Sequence, residues 1–167
     1  MAWTTPITWS SNSVVTAAQL NTHIRDNENY LLSRSNSQIL RNNAGTYTTS
    51  GAFAAIDTTN LSITLTMTTT KVLLWLVGTA SNSTAGQETD FDFLIDGTRY
   101  GNSYTRGLSG FYAPGNGYHV PISVAVIATV STGSRTFKPA WRAGGGTSSF
   151  YSDTGNFPVF FAAIEVA

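Results

Sequence analysis

Leu61-Ser62-Ile63-Thr64-Leu65-Thr66-Met67 puts an apolar side chain at every second position and a hydroxyl between each pair. A strand turns successive side chains to opposite faces, so this segment fits a sheet with one face on a core and one in water. A helix, with its period of 3.6, cannot bury it on one side. After Leu40 no helical period recurs, and the remaining apolar segments follow the same logic. Val72 to Val77 is a continuous apolar run, the pattern of a strand buried on both faces. Phe91-Asp92-Phe93-Leu94-Ile95 leads into Asp96-Gly97, a hairpin turn signal. Tyr118 to Val130 is rich in β-branched residues, and Pro121 within it points to an edge or a bulge. Thr132-Gly133 marks a turn before Arg135 to Arg142, which carries Phe137, Pro139 and Trp141 on one face, and Phe157 to Val166 is a last apolar strand. Short strands with frequent turns predict a sandwich or jelly roll.

The first forty residues read differently. Met1 to Ser13 is a polar arm with Trp3 and Trp9, and the Ser10-Ser11-Asn12-Ser13 cluster marks a loop. Thr16-Ala17-Ala18-Gln19 is a capping box, with Val15 and Leu20 at the positions of a hydrophobic staple, so a helix is expected from Thr16 to about Ser33. Ala17, Leu20, Ile24, Asn27 and Leu31 alternate spacings of three and four, the seam of a short coiled coil. Asn27 in such a seam fixes register and strand number. The seam is about two heptads long, too short to associate alone, so it serves either a partner or its own domain. Ser33 to Gly45 is polar, ends in Asn42-Asn43-Ala44-Gly45, and reads as a linker. The expected domains are therefore 1–42, an arm and helix for attachment or trimerisation, and 43–167, the sandwich. On this reading residues 1–40 are removable without unfolding the rest.

Charge narrows the function. Charged residues make up 11% of the chain and the net charge is +0, with 9 Lys and Arg against 9 Asp and Glu. A nucleic-acid partner is not expected, because no basic surplus exists to displace counterions. Low net charge suits a subunit held in an assembly. There is no cysteine, which excludes disulfides and thiolate chemistry. The start Met1-Ala2-Trp3-Thr4-Thr5-Pro6 lacks the pattern of a signal peptide, and the apolar runs fall short of the ~20 residues of a membrane span. No membrane insertion is expected.

Candidate chemistry is sparse. His23 and His119 stand alone, without a second ligand at metal spacing, and neither a nucleophile elbow nor a phosphate loop is present. Gly144-Gly145-Gly146 reads as a flexible turn. Glu88, Asp90, Asp92 and Asp96 form the one acidic group, with Asp90 and Asp92 on a shared strand face. Such a pair could hold Ca²⁺ or act on a glycan, but supplies few of the ~6–8 oxygens a Ca²⁺ site needs. A solvated, edge-protecting face is the plainer reading, under which Asp92→Asn is neutral. No metal, cofactor or catalytic residue is expected. The loops Tyr100 to Tyr118 and Gly144 to Phe157 set aromatics among Gly, Ser and Asn, as recognition surfaces do. Their expected tips, Phe111, Tyr112, Phe150 and Tyr151, are candidates for receptor contact or for interfaces between protomers.

Two stretches resemble known families. Thr8-Trp9-Ser10, Val14-Val15-Thr16-Ala17-Ala18-Gln19-Leu20-Asn21 and Ile24-Arg25-Asp26-Asn27, ending at Tyr30-Leu31, resemble an N-terminal module of bacteriophage tail and other minor structural proteins. The Phe91 to Gly97 hairpin, Ser123 to Val126, Phe137 to Arg142 and Phe160 to Val166 are similar to the C1q/TNF-like jelly roll. The resemblance implies a mainly β chain: an antiparallel jelly-roll β-sandwich preceded by one N-terminal α-helix, assembled as a homotrimer about an aromatic-lined axis. It further implies a non-enzymatic virion protein made in the host cytoplasm, a tail-fibre or receptor-binding head. Trp3, Trp9, Leu20, Ile24, Asn27 and Leu31 would attach or trimerise it against other virion proteins. A host-surface glycan or protein would meet the aromatic loops. The alternative is a trimeric capsid decoration protein clamping capsid subunits with its arm; a glycan-binding module or a depolymerase comes after these.

Overall fold

Thr16 starts the helix as its sequence dictates: its Oγ1 accepts from Gln19 N at 3.2 Å, and Gln19 Oε1 accepts from Thr16 N at 2.9 Å. The computed structural model describes residues 4–32, 34–155 and 157–166. After α1 (Ala17–Leu20) the chain widens into a π-helical turn, Asn21–Arg25, before α2 (Asp26–Leu32). A π turn holds more residues than an α turn, so a spacing of three and four no longer traces one stripe across it. Upstream, Ser13 N and Oγ both donate to Ser10 O, with Asn12 at φ 66, a conformation Asn tolerates. Met1–Arg34 forms one compact unit and Ser35–Ala167 the other.

The second unit is a sandwich, whose described residues form twelve strands: β1 (Asn36–Arg41), β2 (Gly45–Thr49), β3 (Ala54–Ala55), β4 (Ile63–Met67), β5 (Lys71–Asn82), β6 (Glu88–Ile95), β7 (Thr98–Arg99), β8 (Ser109–Tyr112), β9 (Val120–Thr129), β10 (Gly133–Ala143), β11 (Ser148–Ser152) and β12 (Val159–Val166). In the first sheet β1 pairs with β12, β12 with β5 and β5 with β9, while the end of β5 also carries β11 and then β2. In the second, β10 carries β3, β4 and β6, and β6 carries β7 and β8. Every pairing is antiparallel. The pairings nest: β1 with β12, β4 with β10, β5 with β9, β6 with β7 and β8. That is one long hairpin rolled over itself, a jelly roll. The chain is mainly β, as the periodicity predicts.

The predicted linker is a correction. Residues 33–45 contain β1, which pairs with β12 from Asn36↔Ile164 to Arg41↔Val159. Ile39 and Leu40 are its only large apolar residues, too few to show a period, and β12 supplies the rest. The sandwich thus begins ahead of the boundary expected after Asn42. Its entry is fastened by Glu165, a buried carboxylate that accepts from Ser35 N at 3.0 Å, from the Thr68 hydroxyl at 2.7 Å, and from the backbone N–H groups of Thr68 and Thr69. Burial alone would raise this carboxyl, but those donors outweigh it and hold it at about 2.

Between the sheets lie Leu61, Ile63, Leu65 and Met67, then Val72, Leu74 and Leu76, with Phe91, Phe93, Phe137, Trp141 and Phe161 facing them. Phe150 is here too, fully buried. Its rings' neighbours are Phe91 at 5.7 Å and Trp141 at 6.1 Å. A Cβ on Gly78 would stand 2.4 Å from the tip of its ring, so glycine makes the socket. The expectation of an exposed loop tip at Phe150 is therefore overturned: Ser148, Phe150 and Ser152 alternate inward on β11.

Candidate functional site

The outer face of the first sheet is set by register. Three rows cross it: Leu40, Phe160, Val77 and Ser123; Gln38, Ala162, Trp75 and Ala125; Asn36, Ile164, Leu73 and Ile127. Leu40 is 66% exposed and Ile127 59%, and Trp75 and Ile164 are exposed as well. The Trp75 ring meets Phe160 edge-on at 5.5 Å, and its Nε1 donates to Ser123 Oγ at 3.1 Å. Below these rows sits Lys71, bonded to Thr129. It is the single charge among the described residues of the four strands that faces outward here. The run Val72 to Val77, predicted to be buried on both faces, is covered by its own chain on one face only: Val72, Leu74 and Leu76 lie in the core, and Trp75 lies open.

Tyr151 belongs to the same outer face, opposite Thr79 and Thr46. It does not stand at a tip. Its ring packs with His119 at 4.5 Å and Phe157 at 5.9 Å, and its hydroxyl shares a 2.8 Å hydrogen bond with Ser81 Oγ.

The second sheet's outer face carries the acidic residues, and here the solvated reading is corrected. Asp92 is fully buried and Asp90 is 2% exposed. Arg99 Nε donates to Asp92 Oδ2 at 2.6 Å, while Oδ1 accepts from Phe93 N at 2.7 Å and Gly101 N at 3.0 Å. The Arg99 guanidinium lies 3.9 Å above the Phe53 ring and also bonds the carbonyls of Gly101 and Tyr104, tying the following loop down. Arg142 joins Asp90, through Nε at 2.8 Å, to Glu88, and Arg106 Nε reaches Glu88 Oε2 at 3.0 Å. Burial pushes the Asp90 carboxyl up, partly offset by the Arg142 hydrogen bond. Asp96 is held low by its hydrogen bond from Arg135.

Each of the three strand carboxylates faces a glycine. A Cβ on Gly101 would lie 2.6 Å from Asp92 Oδ2, one on Gly110 2.4 Å from Asp90 Oδ1, and one on Gly144 2.2 Å from Glu88 Cγ. The sequence reading missed Arg99, Arg106 and Arg142. The signal was the matching of alternate acids with alternate arginines and scattered glycines, visible only once β6, β8 and β10 are aligned. Tyr112, opposite Glu88, is exposed, with the Arg106 guanidinium 5.0 Å over its ring. Phe111 turns the other way and is half-buried against the core.

In the N-terminal unit Trp9, Leu20, Ile24 and Leu31 are exposed, and Trp3 lies outside the described residues. Asn27 departs from the expected seam: it is 4% exposed, and its amide is used on its own arm. Oδ1 accepts from Thr4 N at 2.9 Å, and Nδ2 donates to Thr4 O at 2.8 Å and His23 O at 3.2 Å. The side-chain amide thus matches one residue's N–H and C=O together, as a neighbouring strand would.

Among the described residues no group of three or more His, Asp or Glu side chains could share a metal ion, and no helix is long and apolar enough to cross a membrane. No family model matches the chain, and no curated protein matches it. Solved structures do. The CBM36-1 domain of a multidomain xylanase from the hindgut metagenome of Trinervitermes trinervoides is 15% identical, over 80% of this chain and 98% of that one, at a TM-score of 0.36. The VP2 subviral particle of infectious bursal disease virus is 14% identical over 80% of this chain at 0.47, and this chain spans 37% of that protein. The EclA C-terminal domain, a sugar-binding protein, is 13% identical over 78% of each chain at 0.31. The jelly-roll assignment rests on the strand pairings themselves.

Proposed function

We propose that this chain is a non-enzymatic bacteriophage virion protein, the trimeric C1q/TNF-like head of a tail fibre or receptor-binding appendage. The observation that carries the reading is the uncovered outer face of the first sheet. Four strands ~4.8 Å apart, paired side by side over about six residues of ~3.3 Å, make a face on the order of 300–400 Å². An exposed apolar patch of that size is often a functional one. Its near lack of charge favours further copies of the same chain, since a face turned toward a threefold axis brings like residues of three copies close together, where like charges would repel. The threefold arrangement comes from the resemblance; the face supplies the contact.

The exposed Trp9, Leu20, Ile24 and Leu31 support attachment to other virion proteins through the N-terminal unit. A capsid decoration protein needs its arm to reach across neighbouring subunits, whereas Asn27 ties Thr4 back to the helix. The fibre-head reading is therefore preferred. Against catalysis stands the pairing of the dense ionisable group with itself, Glu88 and Asp90 with Arg106 and Arg142. Light scattering tests the reading: a particle of three 17.8 kDa chains is expected, and a monomer at micromolar concentration overturns it. Electron cryomicroscopy of the virion then distinguishes tail from capsid.

A further inference from the structure

The second sheet carries a cleft of about 200 Å³ lined by Glu88, Asp90, Arg106 and the stretch from Gly107 to Tyr112. Asp90 is its most buried lining residue and Tyr112 an exposed one. Gly110 lines the cleft as well, and a Cβ there would collide with the Asp90 carboxylate.

Glu88 and Asp90 line the cleft with Arg106, and their charge is balanced from outside the lining by Arg142, which pairs with both carboxylates. A free anion would meet the carboxylates and a free cation the guanidinium groups. What fixed ion pairs do offer is a set of strong acceptors and strong donors at set positions, side by side. A sugar hydroxyl donates and accepts at once, and vicinal hydroxyls match such a set. Beside it the exposed Tyr112 ring carries Arg106 over one face, which leaves the other as the flat apolar surface on which a pyranose can lay its C–H face. The size limits the ligand to one ring, because clefts for larger ligands run to ~300–1,000 Å³.

We propose that this cleft binds a single neutral pyranose ring, the terminal residue of a surface glycan. The proposal rests on the receptor-binding reading for its purpose, though not for its chemistry. Glu88 and Arg106 exchange hydrogen bonds with adjacent hydroxyls, and Tyr112 stacks on the ring. Asp90, too buried to be reached freely, is a positioning residue that holds Arg142 against Glu88. A single ring on one stacking face binds weakly, on the order of 1 mM, and a trimer would present three such sites for avidity.

Saturation-transfer NMR on the full chain tests this, using the methyl glycosides of glucose, galactose, mannose and N-acetylglucosamine, with glucuronate as the anionic probe. At least one neutral glycoside should show transfer, falling at least tenfold in both Tyr112→Ala and Arg106→Gln. Both side chains are exposed, so these variants keep the fold, which circular dichroism checks. No transfer from any neutral glycoside, transfer that survives in both variants, or transfer from glucuronate alone overturns the proposal. Light scattering on the same samples separates the two readings: a trimer without transfer removes the cleft and leaves the assembly, and a monomer with transfer does the reverse.

Discussion

The two outer faces of the sandwich solve one problem in opposite ways. On the second sheet Asp90 and Asp92 would be stranded charges, and the chain covers them itself with Arg99, Arg142 and the loop that Arg99 ties down. On the first sheet Trp75, Leu40 and Ile127 are left with no cover of their own. A face that closes on itself needs no partner. On the proposed trimer reading, a face left apolar and nearly uncharged is finished by another copy.

The largest effect should come from breaking that difference directly. Trp75→Glu puts a charge at the centre of the first sheet's outer face, where three copies would each desolvate it. The particle should fall to a 17.8 kDa monomer by light scattering, with the far-ultraviolet spectrum unchanged. Thr64→Glu, on the exposed side of β4 in the second sheet, should leave the mass alone. Loss of the trimer in both variants, or in neither, would erase the contrast between the faces.

Next comes a pair of truncations. Removing residues 1–34 should leave a cooperative sandwich. Removing 1–40 takes most of β1, bares the edge of β12 and breaks the bond from Ser35 to Glu165, so its melting temperature should drop on the order of 10 °C further. Calorimetry that shows equal melting for the two would mean β1 adds nothing to the first sheet.

On the second sheet, Asp92→Asn keeps an acceptor for the Phe93 and Gly101 N–H groups but strips Arg99 of its charge partner. The expected cost is about 3 kcal/mol in urea unfolding, where a solvated strand face would have predicted none. A cost under ~0.5 kcal/mol would return Asp92 to that description.

The smallest effect is in acid, and it carries opposite signs on the two sheets. Glu165 sits at about 2 in the fold against 4.5 ordinarily, so its stabilisation is complete above 4.5 and fades as pH falls toward 2. Between pH 5 and 3 the loss should be about 2 kcal/mol, and Glu165→Gln should flatten that slope. Asp90, raised by burial, works the other way: its protonation on acidification relieves the fold. Stability of Asp90→Asn should therefore fall more steeply with acid than that of the wild type, and an unchanged slope would mean that Asp90 does not titrate differently in the fold.

What the sequence made legible follows from what is local. The Thr16 capping box, the alternation of Leu61 to Met67 and the inward face of Phe137, Pro139 and Trp141 need only neighbouring residues, and all are present. Pro121 sits on β9, which among the described residues pairs with β5 alone and is an edge strand. The misreadings are non-local. β1 has no pattern of its own without β12. Asp90 and Asp92 share a face as their spacing requires, but their burial depends on arginines many residues away. Phe150 lies in a Gly- and Ser-rich stretch, and its socket is made by Gly78 on another strand. The Val72 to Val77 run reads as doubly buried, but only Val72, Leu74 and Leu76 reach the core, and Trp75 on the other face is exposed.

The nesting of the strands also sets a clock. β1 cannot find its partner until β12 exists, since Asn36 pairs with Ile164. β5, which carries Trp75, needs β9 and β12, and both are made after it. At ~5–20 residues per second, translation leaves β5 waiting on the order of 5–15 s before β12 emerges. Pairings this distant in sequence then close in milliseconds to seconds. Throughout that interval the rows that bring Leu40, Trp75 and Ile127 together do not exist, so nascent chains on one message offer each other loose strands and no finished face. On the trimer reading, ordered association waits until β12 is made, and a pause in synthesis between Asn82 and Val159 prolongs the time that β5 spends without its partners.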